Sequence, residues 1–258
     1  MTSTLQIDRP APGVCRIRLD RPPMNALNMA LLAELADEVD ALHDDDSVRA
    51  LILAGGERAF AAGADVSEFS DSQRAREVSA GFSRVGDSLR SWPHPVIAAV
   101  SGYALGGGLE VALCADLRIA ADNARVGQPE VLLGLLPGGG GTQRLARLIG
   151  PARTKDLVWT GRQIRADEAL AWGIFDRVVP ADTLEDAALS LASELAASAA
   201  VAIGISKRVI DDGLELTLDE GVSLEADGFA AVFRSQDAAI GVASFLENGP
   251  GKATFTGK

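Results

Sequence analysis

Histidine, cysteine and lysine are scarce in this chain, with two His, two Cys and four Lys among 258 residues. Each scarcity removes a class of chemistry. His43 sits in the acidic string His43-Asp44-Asp45-Asp46 and His94 lies between Pro93 and Pro95. Two isolated histidines leave serine–histidine and cysteine–histidine catalysis almost nothing to work with. Together with Cys15 and Cys114, both in apolar strings, they form no ligand set for a metal. Two cysteines in a chain this long read as buried free thiols rather than as a disulfide framework. Basic residues are outnumbered, 24 against 36 acids, for a net charge of −12. A nucleic-acid partner, which needs a basic footprint, is therefore not expected, and neither is an anionic membrane surface.

Charge is also missing locally. From Ser91 to Leu109 there is no Asp, Glu, Lys or Arg, but Pro93, Pro95, Gly102 and Gly106-Gly107-Gly108 interrupt the stretch. That fits a buried strand running into a glycine turn better than a membrane-spanning helix. No apolar leader is apparent at the N-terminus. These features lead us to expect a cytoplasmic protein with no membrane partner.

Nucleotide-binding signatures fail as well. Gly106 and Gly108 are followed by Val111, and Gly138 and Gly140 by Gln143, where a dinucleotide fingerprint needs a third glycine. There is no P-loop and no Gly-x-Ser-x-Gly nucleophile elbow.

What is present is a set of strands, glycine turns and carboxylates. Val14–Leu19 alternates apolar and charged residues, as a half-buried strand does. Asn28 can cap a helix whose apolar residues are Leu31, Leu32, Leu35, Val39 and Leu42. Val48–Ala54 and Val96–Val100 read as buried parallel strands, and Leu117–Ala120 as a third. Each of the first two runs into a glycine-bearing turn, and Arg177-Val178-Val179 reads as a shorter third copy of this pattern. Beyond about residue 183 the periodicity is helical, with three terminal helices and a Gly-Pro loop at the end.

Three segments can carry chemistry. Gly106-Gly107-Gly108-Leu109-Glu110 lets the backbone turn closely under a ligand and opens a helix whose first N–H groups are free. Glu110 falls in its first turn, either as a catalytic acid–base or as a charge complementing the helix dipole. Ala61-Ala62-Gly63-Ala64-Asp65 is a second such turn. The Ala64 N–H could be the second donor of an oxyanion hole, and Asp65 reads as a helix cap. Gln128-Pro129-Glu130 places an acid beside the apolar run Val131–Leu136, which would raise its pKa unless the loop is solvated. Pro137–Arg144, with four glycines in a row, could cradle a phosphate.

Together these strings resemble the enoyl-CoA hydratase/isomerase (crotonase) family. Ala59-Phe60-Ala61-Ala62-Gly63-Ala64-Asp65, the run Pro95 to Glu110, Gly127-Gln128-Pro129-Glu130 and Leu136 to Leu145 match in order and spacing, as do Asn25-Ala26-Leu27-Asn28 and Thr160-Gly161. The resemblance implies an α/β fold, a crotonase-like spiral of repeated ββα units over 1–195. A C-terminal helical region, 196–258, would build a homotrimer or dimer of trimers. It implies an acyl-CoA substrate, no separate cofactor and no metal, coenzyme A being part of the substrate. Ala64 and Gly107 match the two backbone N–H donors to the thioester oxygen. Glu110 and Glu130 match the two catalytic glutamates of the hydratase branch. Ala62, Ala64, Asp65, Val66, Ser67 and Gly107 match the stretch that lines substrate and CoA. The activity implied is hydration of a 2-enoyl-CoA to a 3-hydroxyacyl-CoA, with Δ3,Δ2-enoyl-CoA isomerisation or another crotonase-type acyl-CoA reaction as the alternative. Arg21-Pro22-Pro23-Met24-Asn25 is one residue shorter than in many members and lacks their lysine, which makes Arg58, or Lys252 of a neighbouring subunit, a candidate for holding the CoA phosphates.

Overall fold

The computed structural model describes residues 3–258. It opens with strands β1 (Leu5–Ala11) and β2 (Val14–Leu19), an antiparallel pair. Helix α1 (Met29–Ala41) comes next, its N-cap Asn28 accepting from the Leu31 N–H and its buried stripe being Leu31, Leu32, Leu35, Ala36 and Val39. The chain then repeats one unit three times. Strand β3 (Ala50–Ala54) and strand β4 (Ala59–Ala62) lead to α2 (Ser72–Ser91). Strand β5 (Val96–Val100) and strand β6 (Tyr103–Leu105) lead to α3 (Gly107–Ala112). Strand β7 (Leu117–Ala121) and strand β8 (Arg125–Gly127) lead through a 3-10 turn, Pro129–Leu133, to α4 (Gly141–Ile149) and α5 (Pro151–Thr160). Strand β9 (Gln163–Arg165), α6 (Ala166–Trp172), strand β10 (Arg177–Val179) and α7 (Leu184–Ala196) complete this part. Three helices end the chain, α8 (Ala200–Gly213), α9 (Leu218–Val232) and α10 (Gln236–Asn248).

In every unit the first strand joins one sheet and the second strand another. The larger sheet has the order β1-β2-β3-β5-β7-β10 and the smaller β4-β6-β8-β9. The ββα repeat expected from the sequence is there. Its third copy is β7–β8, however, and not Arg177–Val179, which is the edge strand β10 paired parallel to β7.

Strands β3 and β5 are buried at every position, which explains why they read as unbroken apolar runs. Their side chains alternate between two cores. Leu51, Leu53, Val96, Ala98 and Val100 join the core that also holds α1, α2 and α3. Ala50, Ile52, Ala54, Ile97 and Ala99 face the other way, against Leu184, Ala188, Leu191 and Ala192 of α7.

Four helices lie beyond residue 183, where three were expected. The additional one is α10 (Gln236–Asn248), beyond the last helical run read from the sequence; α7 packs on the sheet and α8 turns away from it at an angle of 105°. Among the described residues no single helix is long and apolar enough to cross a membrane.

The small sheet brings three turns to one edge. Strands β4, β6 and β8 are parallel neighbours, with Ala62 opposite Leu105 and Leu105 opposite Gly127. Their carboxyl ends therefore release Gly63-Ala64, Gly106-Gly107 and Gln128-Pro129-Glu130 side by side. That end of a parallel sheet is where open α/β folds place their ligands.

Candidate active site

The first of the three segments is fixed by a bridge to the loop before α1. Leu27 donates to the Gly63 carbonyl at 2.9 Å and accepts from the Asp65 N–H at 2.8 Å, a parallel pairing centred on Ala64. Alternation of a strand then turns the Ala64 N–H away from Leu27. Asp65 is a cap, as its sequence position suggested. It accepts from the Ser67 N–H and hydroxyl and pairs with Arg21 at 2.7 Å. Asp65 and Ser67 thus stabilise the turn, while Ala62, Gly63, Ala64 and Val66 form the wall of a cleft.

The second segment enters α3 through Gly106, whose φ of 51° lies in the region that favours glycine. Side chains are excluded on all sides here. A Cβ on Gly106 would lie 2.6 Å from Glu130 Oε1, and one on Gly107 would lie 2.6 Å from the Phe82 ring and 3.3 Å from the Ala64 nitrogen. One on Gly108 would run into the Ala61 carbonyl of β4. The glycines thus serve close approach, and they bring the amides of Ala64 and Gly107 to one place. Among the described residues, neither N–H donates to a protein acceptor. Such unused, converging donors suit a developing oxyanion.

Glu110 stands on the first turn of α3 and is 2% exposed. Its Oε1 accepts from the Gly139 N–H at 2.8 Å and the Gly141 N–H at 2.7 Å. The glycine run, read from sequence as a possible phosphate cradle, holds this carboxylate instead. Burial raises the Glu110 pKa, opposed by the two backbone hydrogen bonds and by the nearby Arg144 charge.

Glu130 stands just after Pro129 on the 3-10 turn beyond β8. Burial and the neighbouring Glu110 charge push it up to about 7, against a weaker opposing effect of its own backbone N–H. The rise expected from sequence is present: Leu133, Leu135 and Leu136 of the adjoining apolar run line the cleft with Glu130, and the Gly106 backbone closes against its carboxyl. The fully buried Gln128 holds its amide 3.0 and 3.1 Å from the two Glu130 carboxyl oxygens, and with its nitrogen on that side it donates to both. Its place in Gln128-Pro129-Glu130 was visible in the sequence, but nothing there marked its side chain as a partner.

The cleft has a volume of about 1090 Å³. One wall is the Ala62–Val66 turn with Phe69, the opposite wall the stretch from Pro129 to Gly139, and the long side is α2, with Arg76, Ser79 and Phe82. The Ser79 hydroxyl donates to the Gly138 carbonyl at 2.7 Å and ties that side to the glycine loop. Neither Arg58 nor this chain's own Lys252 lines the cleft; Arg76 is the cation that does. Among the described residues there is no group of three or more His, Cys, Asp or Glu that could hold a metal ion.

The family model described as enoyl-CoA hydratase/isomerase matches residues 9–258. The chain belongs to the enoyl-CoA hydratase/isomerase family. It is 43% identical over 244 residues to the crotonyl-CoA hydratase of Syntrophomonas wolfei, covering 93% of each chain. It is 40% identical over 238 residues to the short-chain-enoyl-CoA hydratase of Clostridium acetobutylicum, covering 91% of each. The crystal structure of an enoyl-CoA hydratase from Bacillus anthracis superimposes with a TM-score of 0.94 at 36% identity, covering 99% of this chain and all of that one. The crotonase-type spiral expected from the resemblance is therefore the fold of this enoyl-CoA hydratase/isomerase family member.

Proposed function

We propose that this protein is a 2-enoyl-CoA hydratase. The observation that carries the reading is a pair of glutamates, Glu110 and Glu130, at one end of a cleft beside two unused backbone N–H groups. The hydratases of Syntrophomonas wolfei and Clostridium acetobutylicum support it as relatives.

In this geometry the thioester carbonyl oxygen accepts from the Ala64 and Gly107 N–H groups, so charge developing on it is stabilised; removing one such donor costs about 3–4 kcal/mol. Glu110, as carboxylate, takes a proton from water, and the water oxygen bonds to C3. The C2=C3 electrons move toward the carbonyl as an enolate-like state forms. Glu130, as carboxylic acid, delivers its proton to C2 and the carbonyl is restored. One water is consumed and a 3-hydroxyacyl-CoA results. The step balances with water and two carboxyl groups, coenzyme A entering as part of the substrate. Each proton transfer contributes roughly 10²–10⁴-fold.

We assign residues 1–195 to the catalytic core and 196–258 to an oligomerisation region that builds a homotrimer or dimer of trimers. The support is apolar surface that the single chain leaves open. Leu214, Leu218, Phe229, Phe233, Phe245 and Leu246 of the terminal helices and the residues joining them are all exposed, and apolar surface left open in this way marks an interaction face. A cytoplasmic location, in acyl-CoA degradation, rests on the two unpaired thiols and on the substrate class.

Loss of the enoyl ultraviolet chromophore on mixing with crotonyl-CoA tests the assignment, with Glu110→Gln and Glu130→Gln alongside. Rapid loss that collapses in both variants is expected. Bound substrate with no loss, together with conversion of a 3-enoyl-CoA, would replace hydration by isomerisation.

A further inference from the structure

Helix α2 carries a buried glycine, Gly86, in its interior, where almost any other residue forms helix better. What occupies the space beside it is the guanidinium of Arg144. A Cβ on Gly86 would lie 2.6 Å from Arg144 Nη2 and 3.4 Å from Cys114 Sγ, and one on Gly140 would collide with Nη1. Arg144 begins on α4 and reaches back over the turn that precedes it. Its Nη1 donates to the Gly139 carbonyl at 2.9 Å. The N–H groups of Gly139 and Gly141 are the two that hold Glu110 Oε1. The Arg144 side chain is half-buried, and a partly buried guanidinium is commonly paired with a carboxylate. Among the described residues Arg144 has no ion pair within 4.0 Å, and its only side-chain hydrogen bond is to that carbonyl.

We propose that Arg144 is a positioning residue for Glu110, fixing the Gly139–Gly141 turn whose N–H groups grip the carboxylate. The slot is built on three elements. Gly86 of α2 admits the guanidinium, Gly139 and Gly140 receive it, and α3 presents Glu110 with Cys114 one turn further on. The titratable and charged groups facing this pair are Glu130 from the turn after β8, Cys114, Asp87 of α2 and Arg118 of β7. Cys114 is held neutral by burial, its pKa pushed up to about 11. Glu130 and Asp87 carry no charge that could favour a carboxylate, and Arg144 is the cation that acts on Glu110. Arg144 is not part of the cleft wall. Its effect on turnover, which rests on the hydratase reading, therefore runs through Glu110.

The test combines Arg144→Met, Arg144→Lys and Gly86→Ala with two readouts. The first is the titration midpoint of the Glu110 carboxyl in the substrate-free protein, measured by infrared difference spectroscopy with Glu110→Gln as the reference. The second is the pH profile of kcat/KM for crotonyl-CoA. Arg144→Met is expected to raise the Glu110 midpoint, and with it the acidic limb of the profile, by about one pH unit, the scale of an adjacent guanidinium's effect on a carboxylate. Arg144→Lys, which keeps the charge, recovers part of that shift. Gly86→Ala crowds the guanidinium from a position outside the cleft, and moves the limb in the same direction while improving helix propensity. A residue that merely supports the fold would lower stability and leave both midpoints in place. Unmoved midpoints in folded Arg144→Met and Gly86→Ala overturn the proposal. If Arg144→Met does not fold, Arg144→Lys and Gly86→Ala decide it. A substrate-free midpoint that moves in a protein unable to hydrate crotonyl-CoA sustains the role of Arg144 and discards the hydratase assignment instead.

Discussion

Glu110 stands nearly fully buried on the first turn of α3 at the end of the cleft, with one oxygen gripped by two backbone N–H groups, whereas Glu130 stands half-buried on a five-residue turn of the cleft, against Gln128 and Gly106. Burial raises the pKa of both. At Glu110 the two N–H groups and Arg144 work against it in favour of the carboxylate. At Glu130 the adjacent Glu110 charge works with burial, and the group reaches about 7. Two identical side chains are thereby set apart, the more strongly gripped one as the base and the other as the acid. Separation of paired carboxyls by environment is how one site holds both forms near neutral pH.

The contrast breaks most directly at Glu110. Glu110→Gln keeps the shape of the side chain but cannot take a proton, and kcat for crotonyl-CoA is expected to fall about 10²–10⁴-fold. A folded variant that keeps full kcat would remove Glu110 from the chemistry.

Stability sets the two acids further apart. The folded pKa of Glu130, about 7, lies above its ordinary value of 4.5. The folded state therefore holds the proton more tightly, and the contribution to stability is complete below pH 4.5 and lost as pH rises through 7. Glu130→Gln cannot ionise and escapes that loss. At pH 8 it is expected to unfold later in urea than the wild type, by about 1–3 kcal/mol, the partial exposure of the group placing it toward the lower figure. Equal stability of the two proteins at pH 8 would show that Glu130 ionises there without cost.

A smaller change is expected at Gln128. With its nitrogen on the Glu130 side its amide favours the charged form of Glu130, so Gln128→Leu should raise the Glu130 pKa. The wild-type kcat/KM should decline above pH about 7 as the acid is lost, and in the variant that decline should move up by roughly one pH unit. A limb that stays in place would detach Gln128 from Glu130.

Arg76 offers the smallest effect and the natural control. It is a cleft cation with no ion pair among the described residues. Arg76→Ala should raise KM about two- to fivefold, the scale of an exposed charge contact, with kcat and both pH limbs unchanged. A loss in kcat instead would place Arg76 nearer the reacting carbons than α2 puts it.

Much of this arrangement is legible in the chain itself. Local signals are faithful where local physics decides. The Asn28 cap, the stripe Leu31, Leu32, Leu35 and Val39, the cap at Asp65 and the buried strand Val96–Val100 are all where residue chemistry puts them. Short strands were harder. Tyr103–Leu105 and Arg125–Gly127 are three residues each, too short to show a period, and they exist because the small sheet pairs them. Helix α3 starts at Gly107, two residues earlier than its apolar run suggests, because glycines carry no hydrophobic signal.

Residue type and spacing along the chain suffice for the family, the two glutamates and the glycine turns. They do not say which groups meet. Gly139 and Gly141 reach Glu110 across 29 and 31 residues, and a run that could have held phosphate holds a carboxylate. Arg144 finds its space at a glycine of a different helix. The physical reason is that β4, β6 and β8 lie parallel and in register, so three turns distant in sequence leave the same edge together. Burial, and with it the pKa of Glu110 and Glu130, exists only once that edge has formed.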